Sequence, residues 1–338
     1  MGNNPLCSVV MSVYNGSEFL SDAIESILQQ TYKNFEFIII NDASTDNSLE
    51  IIKSYNDHRI VLIENKKNIF LAASLNKGIK ASQGKYIIRM DADDISMPNR
   101  ISKQVQYMEN NPDIGICGTC SEIIGFNPGY SKYSAENHII KYKLLYECHL
   151  LHPTIIIRSD IIEKHQLYYN ESYRKNQDYE LFVRAIDKTN YGNILDYLLK
   201  YRQTEHNIKR EVHDQNQNVI EIQKKLFRKL GLEISEEEIN LYKCINYQIY
   251  NDHPKIVSKS LNLINKLSLN NGKTLLFEKN QFDNHLAKLF ENVCRNSTEP
   301  TSSILICYLK SRIRTNYIIK IKILVILLLK LVISIFKI

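Results

Sequence analysis

Four short apolar runs begin at residues 8, 35, 60 and 86, and each is followed by a segment with apolar residues at helical spacing. That rhythm constrains the fold more than any other feature of the chain. The runs span 8–14, 35–40, 60–63 and 86–90. Polar residues hardly interrupt them, as expected of strands buried on both faces. Between them, 18–30 places Phe19, Leu20, Ala23, Ile24, Ile27 and Leu28 at helical spacing, with Ser17 available as a cap. Segments 46–55, 71–81 and 98–110 read as further helices. The alternation predicts an α/β fold: a mostly parallel, Rossmann-like sheet with helices on both faces. Ligands of such sheets bind at the carboxyl ends of the strands.

Residues 114–202 are more mixed, with strand-like 114–120 and 154–158 and a helix over 179–188. Helical spacing then dominates 219–230, 235–250, 255–267 and 281–293. Three regions are expected: an α/β domain over 1–215, a helical region over 216–305, and a basic tail over 306–338. A hydrophobic fraction of 44% over 338 residues excludes wholesale disorder. The net charge of +6 is concentrated in the tail, because 302–338 holds seven basic residues and no acidic one. A near-neutral body argues against nucleic acid as a partner. The cysteines are too scattered for a disulfide scaffold, and Cys117-Gly-Thr-Cys120 has no second pair to complete a zinc site. Buried free thiols in a reducing cytosol are expected, and no secretory signal precedes the first strand.

Three polar clusters follow strands: Tyr14-Asn15-Gly16, Asn41 to Asp46, and Asp91-Ala92-Asp93-Asp94. Ser44 and Asp46 read equally well as turn and helix-cap residues. The three carboxylates over 91–94 are harder to place, since like charges at ~4 Å repel by about 4 kcal/mol at an effective dielectric of 20. Either they form a solvated acidic turn, or a divalent cation such as Mg²⁺ or Mn²⁺ relieves the repulsion. Farther on, Asp178 lies in the first turn of a helix. Such an acid is either favoured by the helix dipole or serves as a base.

The segments VVMSVYNGSEFLSDAIESILQQTYKNFEFIIINDASTD (9–46), SLNKGI (74–79) and GKYIIRMDADDISMPNRI (84–101) resemble the family 2 inverting glycosyltransferases of GT-A fold. The likeness runs over about 5–206, and SLNKGI with RMDADDISMP is closest to bacterial lipooligosaccharide enzymes, including β-1,3-N-acetylglucosaminyltransferases. It implies a UDP-sugar donor and a glycan or glycolipid acceptor. By position, Asp42 would accept from the uracil and Tyr14 would lie beside it. Asp91 would contact the ribose or base, and Asp93 would bind the metal. Asp178 would be the general base, with Gln177 where the family carries Glu. Asn41 and Ala43 also depart from the family, which has an acid and a Gly there. Arg202 would steady the diphosphate and His206 would add a metal ligand. His152 is either an acceptor-side residue or a structural histidine, and Asp94 either joins the site or braces its loop. A non-catalytic nucleotide-sugar-binding protein of the same fold is the competing reading, supported by the changes at Asn41 and Gln177.

The longest uncharged run of the tail is 323–329, too short to span a bilayer. At 100° per residue, Arg312, Thr315, Lys322, Lys330, Ser334 and Lys337 share an arc of about 120°. That pattern suits an amphipathic helix on an anionic inner membrane face, making the protein cytoplasmic and peripheral. A helix packed on the protein's own body or on a second copy in a homo-oligomer has the same pattern.

Overall fold

A computed structural model of the protein describes residues 4–204, 216–250 and 255–297, and beyond them residues 302, 304, 305, 324, 325, 328, 331 and 332. The chain divides into two compact units, Met1–Val219 and Ile220–Ile338. Strands β1 (Cys7–Val13), β2 (Phe35–Asn41), β3 (Ile60–Glu64), β4 (Tyr86–Met90), β5 (Ile95–Ser96), β6 (Ile114–Gly125), β7 (Gly129–Tyr130), β8 (Ile156–Arg158) and β9 (Asn190–Gln203) build one sheet in the first unit. Its order is β3-β2-β1-β4-β8-β6-β9-β5, with β7 paired to β6. Helices α1 (Leu20–Leu28), α2 (Ser48–Ser54), α3 (Phe70–Ala81), α4 (Arg100–Asn110), α5 (Asn137–Lys143), α6 (Ser159–His165) and α7 (Gln177–Ala185) connect the strands.

β3, β2, β1 and β4 are mutually parallel, with Val13 level with Asn41 and Asn41 level with Glu64. Their carboxyl ends therefore form one edge. The winding reverses between β1 and β4, which opens a crevice there. The core against this sheet joins Val9, Met11, Phe37, Ile39 and Ile88 to Leu20, Ile24 and Ile27 of α1 and Ile101, Val105 and Met108 of α4. α3 approaches so closely that a Cβ at Gly78 would sit 2.5 Å from Val10 Cγ1 and 2.7 Å from Ile40 Cδ1. Gln30, fully buried, donates to the carbonyls of Ser26 (2.9 Å) and Met97 (2.8 Å) and accepts from Ile101 N at 3.1 Å. It thus braces α1 against the chain that follows β4.

The second half of the sheet is mixed where a mostly parallel one was expected. β8 runs antiparallel between β4 and β6, β6 and β9 are parallel, and β5 is antiparallel to β9. The 14-residue β9 is absent from the sequence-based expectation, because NYGNILDYLLKYRQ alternates irregularly. Register shifts against β6 displace its side chains from a simple period of two. The strand expected at 154–158 begins only at Ile156, since His152–Thr154 forms a 3₁₀ turn around Pro153. Ser17 does not cap α1, which starts after Phe19 without a side-chain cap. Instead Ser17 N donates to Asp46 Oδ2 at 3.0 Å. Cys117 and Cys120 are buried free thiols.

The remaining helices are α8 (Asn216–Lys229), α9 (Glu236–Tyr247), α10 (Ile256–Thr274) and α11 (Lys279–Asn296). α9 opens on a reciprocal cap, in which Ser235 Oγ accepts from Glu238 N and the Glu238 side chain accepts from Ser235 N. No helix among the described residues is long and apolar enough to cross a membrane.

Candidate active site

β4 is an apolar strand with one charge, Arg89, which is only 4% exposed. It ion-pairs with Asp91, just past the strand end. Asp91, Asp93 and Asp94 each present a carboxylate oxygen within 4.8 Å of the others. Asp94 is fully buried, and its Oδ2 has no hydrogen-bond partner among the described residues. A second buried cation, Arg100, anchors the floor by donating to the carbonyls of Arg89 (2.7 Å) and Pro153 (2.8 Å). Burial pushes its pKa down to about 9, with the charge of Asp94 pulling the other way. Burial, reinforced by Asp91, pushes Asp93 up to about 6. Asp94 is raised well above the ordinary carboxylate range by burial and by Asp91 and Asp93. Three crowded hard-oxygen donors, one with an orphaned buried oxygen, are a donor set that fits a divalent cation.

Arg202 reaches this cluster from β9. Its backbone N donates to Asp94 Oδ1 at 2.8 Å, and its Nε donates to the carbonyl of Asp93 at 2.9 Å. Its guanidinium lies 4.0 Å over the Phe19 ring. β5 makes the approach possible, because the pairing of Ser96 with Leu199 draws β9 alongside the acidic turn. His206 lies outside the described residues.

On the other side of the crevice, the loops after β1 and β2 are laced together. Asn15 N donates to Ser44 Oγ (3.1 Å), Gly16 N to Ser48 Oγ (3.0 Å) and Thr45 N to Asn15 Oδ1 (2.8 Å). Burial opposes ionisation of Asp46, but hydrogen bonds from Ser48 and Ser17 outweigh it and hold its pKa at about 2. Ser44 and Asp46 thus serve the loops, and Tyr14 stands beside them 51% exposed.

Asp42 is buried and already hydrogen-bonded. It is 1% exposed, and its oxygens already accept from Asn65 Nδ2 (2.8 Å), Ile69 N (2.9 Å) and Phe70 N (2.9 Å). A uracil would have to displace one of these donors or find the remaining lone pair. What Asp42 does here is fix the loop between β3 and α3. That loop ends on Phe70 at φ +70°, a strained backbone for a bulky residue that costs on the order of 1–3 kcal/mol.

Asp178 sits in the first turn of α7. Burial raises its pKa, against hydrogen bonds from the Tyr179 and Asp178 backbone and the positive charge of Arg89. The neighbouring Gln177 is 6% exposed, and its Oε1 has no partner among the described residues. His152 is buried, bonded through Nε2 to Tyr169 Oη at 2.7 Å, and kept neutral by burial and by Arg89. Sequence reasoning passed over Arg89 and Arg100. The visible signal was a lone arginine in the middle of the apolar run YIIRM.

Residues 8–165 match the sequence profile of Glycosyl transferase family 2. An uncharacterized glycosyltransferase of Methanocaldococcus jannaschii, MJ1057, is 40% identical over 209 residues, which is 59% of this chain and 71% of the relative. The chain belongs to glycosyl transferase family 2. The O-antigen biosynthesis glycosyltransferase WbnJ of Escherichia coli is 32% identical over 209 residues, 58% of this chain and 79% of that protein. Among solved structures, Staphylococcus aureus TarS 1-349 in complex with UDP-GlcNAc superposes with a TM-score of 0.59 at 14% identity, covering 85% of this chain and 88% of that one. The fold is GT-A-like, and the protein is a glycosyltransferase.

Proposed function

We propose that this glycosyltransferase is metal-dependent and inverting. It moves a hexose from a UDP-sugar to a hydroxyl of a glycan or glycolipid in bacterial lipooligosaccharide, O-antigen or capsule synthesis. UDP-GlcNAc is the first choice of donor, with UDP-Gal and UDP-GalNAc behind it. The observation that carries the reading is the clustering of Asp91, Asp93 and Asp94 within 4.8 Å at the carboxyl edge of the sheet, with Arg202 of β9 hydrogen-bonded to that turn. The names of WbnJ and of the TarS complex support the polysaccharide role and the donor class.

The acceptor oxygen attacks the anomeric carbon, and the bond to the β-phosphate oxygen breaks with its electron pair leaving on UDP. Asp178 takes the hydroxyl proton, a task for which a raised pKa is suited. One base and a single displacement turn an α-linked donor into a β-linked product. Arg202 steadies the diphosphate, Tyr14 lies against the base, and Asp91 faces the ribose or base. Asp42 accepts from the uracil N3–H through its remaining lone pair while it holds the β3–α3 loop. Asp93 and His206 would hold a divalent cation, Mn²⁺ or Mg²⁺, which when bound would supply Lewis-acid stabilisation of the departing diphosphate.

Residues 1–215 carry this chemistry, and 216–305 form a helical appendage. The basic segment 306–338, almost all of it outside the described residues, holds the enzyme on the anionic inner face of the membrane near a lipid-linked acceptor. Asp178→Asn is expected to lower turnover about 10²–10⁴-fold while UDP-sugar still binds. Turnover equal to wild type, measured by UDP release with Mn²⁺, would remove Asp178 from the role.

A further inference from the structure

Phe70 combines three features that local structure does not require together. Its φ is +70°, a region that suits glycine. Its ring is 44% exposed. The Arg174 guanidinium carbon lies 3.6 Å from the ring centroid. The backbone conformation is held by Asp42 Oδ2 and Asn68 Oδ1, which both accept from Phe70 N at 2.9 Å. A strained residue persists only where its surroundings over-determine it. Here the buried carboxylate does so, and the result is a ring offered to an arginine 104 positions later.

Arg174 stands four residues before Asp178. The same stretch has a second anchor on the same helix. Asn76 of α3 accepts from Tyr169 N at 2.8 Å and donates to the Tyr169 carbonyl (2.9 Å) and Glu171 Oε1 (3.0 Å). The chain entering α7 is thus tied to α3 at Asn76 and again at Phe70. Between Arg174 and α7 the backbone passes through Asn176 at φ +59°.

We infer that Phe70 and Arg174 form a clasp between α3 and the chain entering α7, set by Asp42, that positions the segment bearing Asp178 relative to donor bound on the β1–β2 side. Both are positioning residues for sugar transfer. The inference rests on the reading of Asp178 as the base. It also gives Asp42 a role through Phe70, beside the contact with a base proposed above.

The test separates the ring from the backbone. Phe70→Gly removes the ring and relieves the strain, so its melting temperature should equal or exceed that of wild type. Its kcat should fall about tenfold, the scale of a misplaced catalytic group, with UDP-sugar affinity within about twofold. Phe70→Tyr keeps a ring and should restore most of kcat, whereas Phe70→Leu should not. Arg174→Ala should match Phe70→Gly, and the double variant should be no slower than either single one. Amide exchange across 170–176 should quicken in both single variants. A Phe70→Gly enzyme with wild-type kcat, or two losses that multiply, would overturn the clasp. Unchanged exchange across 170–176 would overturn it whatever Asp178 does. Asp178→Asn in the same assay reports on the base reading separately: wild-type turnover there removes the base while the exchange data still decide the clasp.

Discussion

Proton competition at Asp93 gives the metal reading its sharpest consequence. Burial and the charge of Asp91 raise this carboxyl from 3.8 to about 6. At about pH 5 roughly one Asp93 in eleven is ionised, while at about pH 7.5 nearly all are. A cation that needs the ionised form therefore binds about tenfold more weakly at the lower pH, a difference of ~1.4 kcal/mol. Tenfold is the share of Asp93 alone: solvent at the partly exposed carboxylate lowers it, and proton uptake by Asp94, which burial also raises, adds to it. The sign for the metal-free fold is opposite. A carboxyl whose pKa is raised on folding contributes stability that is complete below about 3.8 and lost as pH rises through about 6. Metal-free protein should gain from this group on acidification, while the stabilisation given by Mn²⁺ should shrink. Calorimetric titration with MnCl₂ and melting curves at both pH values measure the two effects. An affinity flat across the window, or Asp93→Asn binding Mn²⁺ as tightly as wild type, would refute the reasoning.

Three further outcomes are expected. Gly78→Ala drives a methyl into Val10 and Ile40. Overpacking of about 1–3 kcal/mol, less about 1 kcal/mol regained from helix propensity, should lower the melting temperature by several degrees. Arg100→Met removes the donor to two buried carbonyls and a buried cation whose charge interacts with Asp94. A loss of about 3–5 kcal/mol is expected from chemical denaturation, partly recovered at lower pH as Asp94 protonates. Truncation to 1–305 should abolish flotation with anionic vesicles, and equal flotation of both forms would exclude the tail as the membrane contact.

The parallel half of the sheet and its polar edge were legible in the residues. The run 86–90 coincides with β4, and 60–63 and 35–40 each fall one residue short of their strands. β2 and β4 lie inside the sheet, where burial on both faces writes an unbroken apolar run, whereas β3 is an edge strand and only partly buried. The turn 91–94 announced itself by charge density alone. The mixed half was less readable, since β9 is a strand only because β6 and β5 flank it, and its register shifts scramble the alternation.

Sequence by itself determined which residue types stand at each strand end, and with them the family and the class of chemistry. Tertiary structure alone decided what each does. It put Arg202 on the acidic turn through β5, placed Arg89 and Arg100 beneath three carboxylates, and turned Asp42 inward onto the Phe70 loop. The reason is physical: strand and helix periodicity are set by neighbours in the chain. The ionisation and partners of a buried polar group depend on atoms brought near it by folding from a hundred residues away.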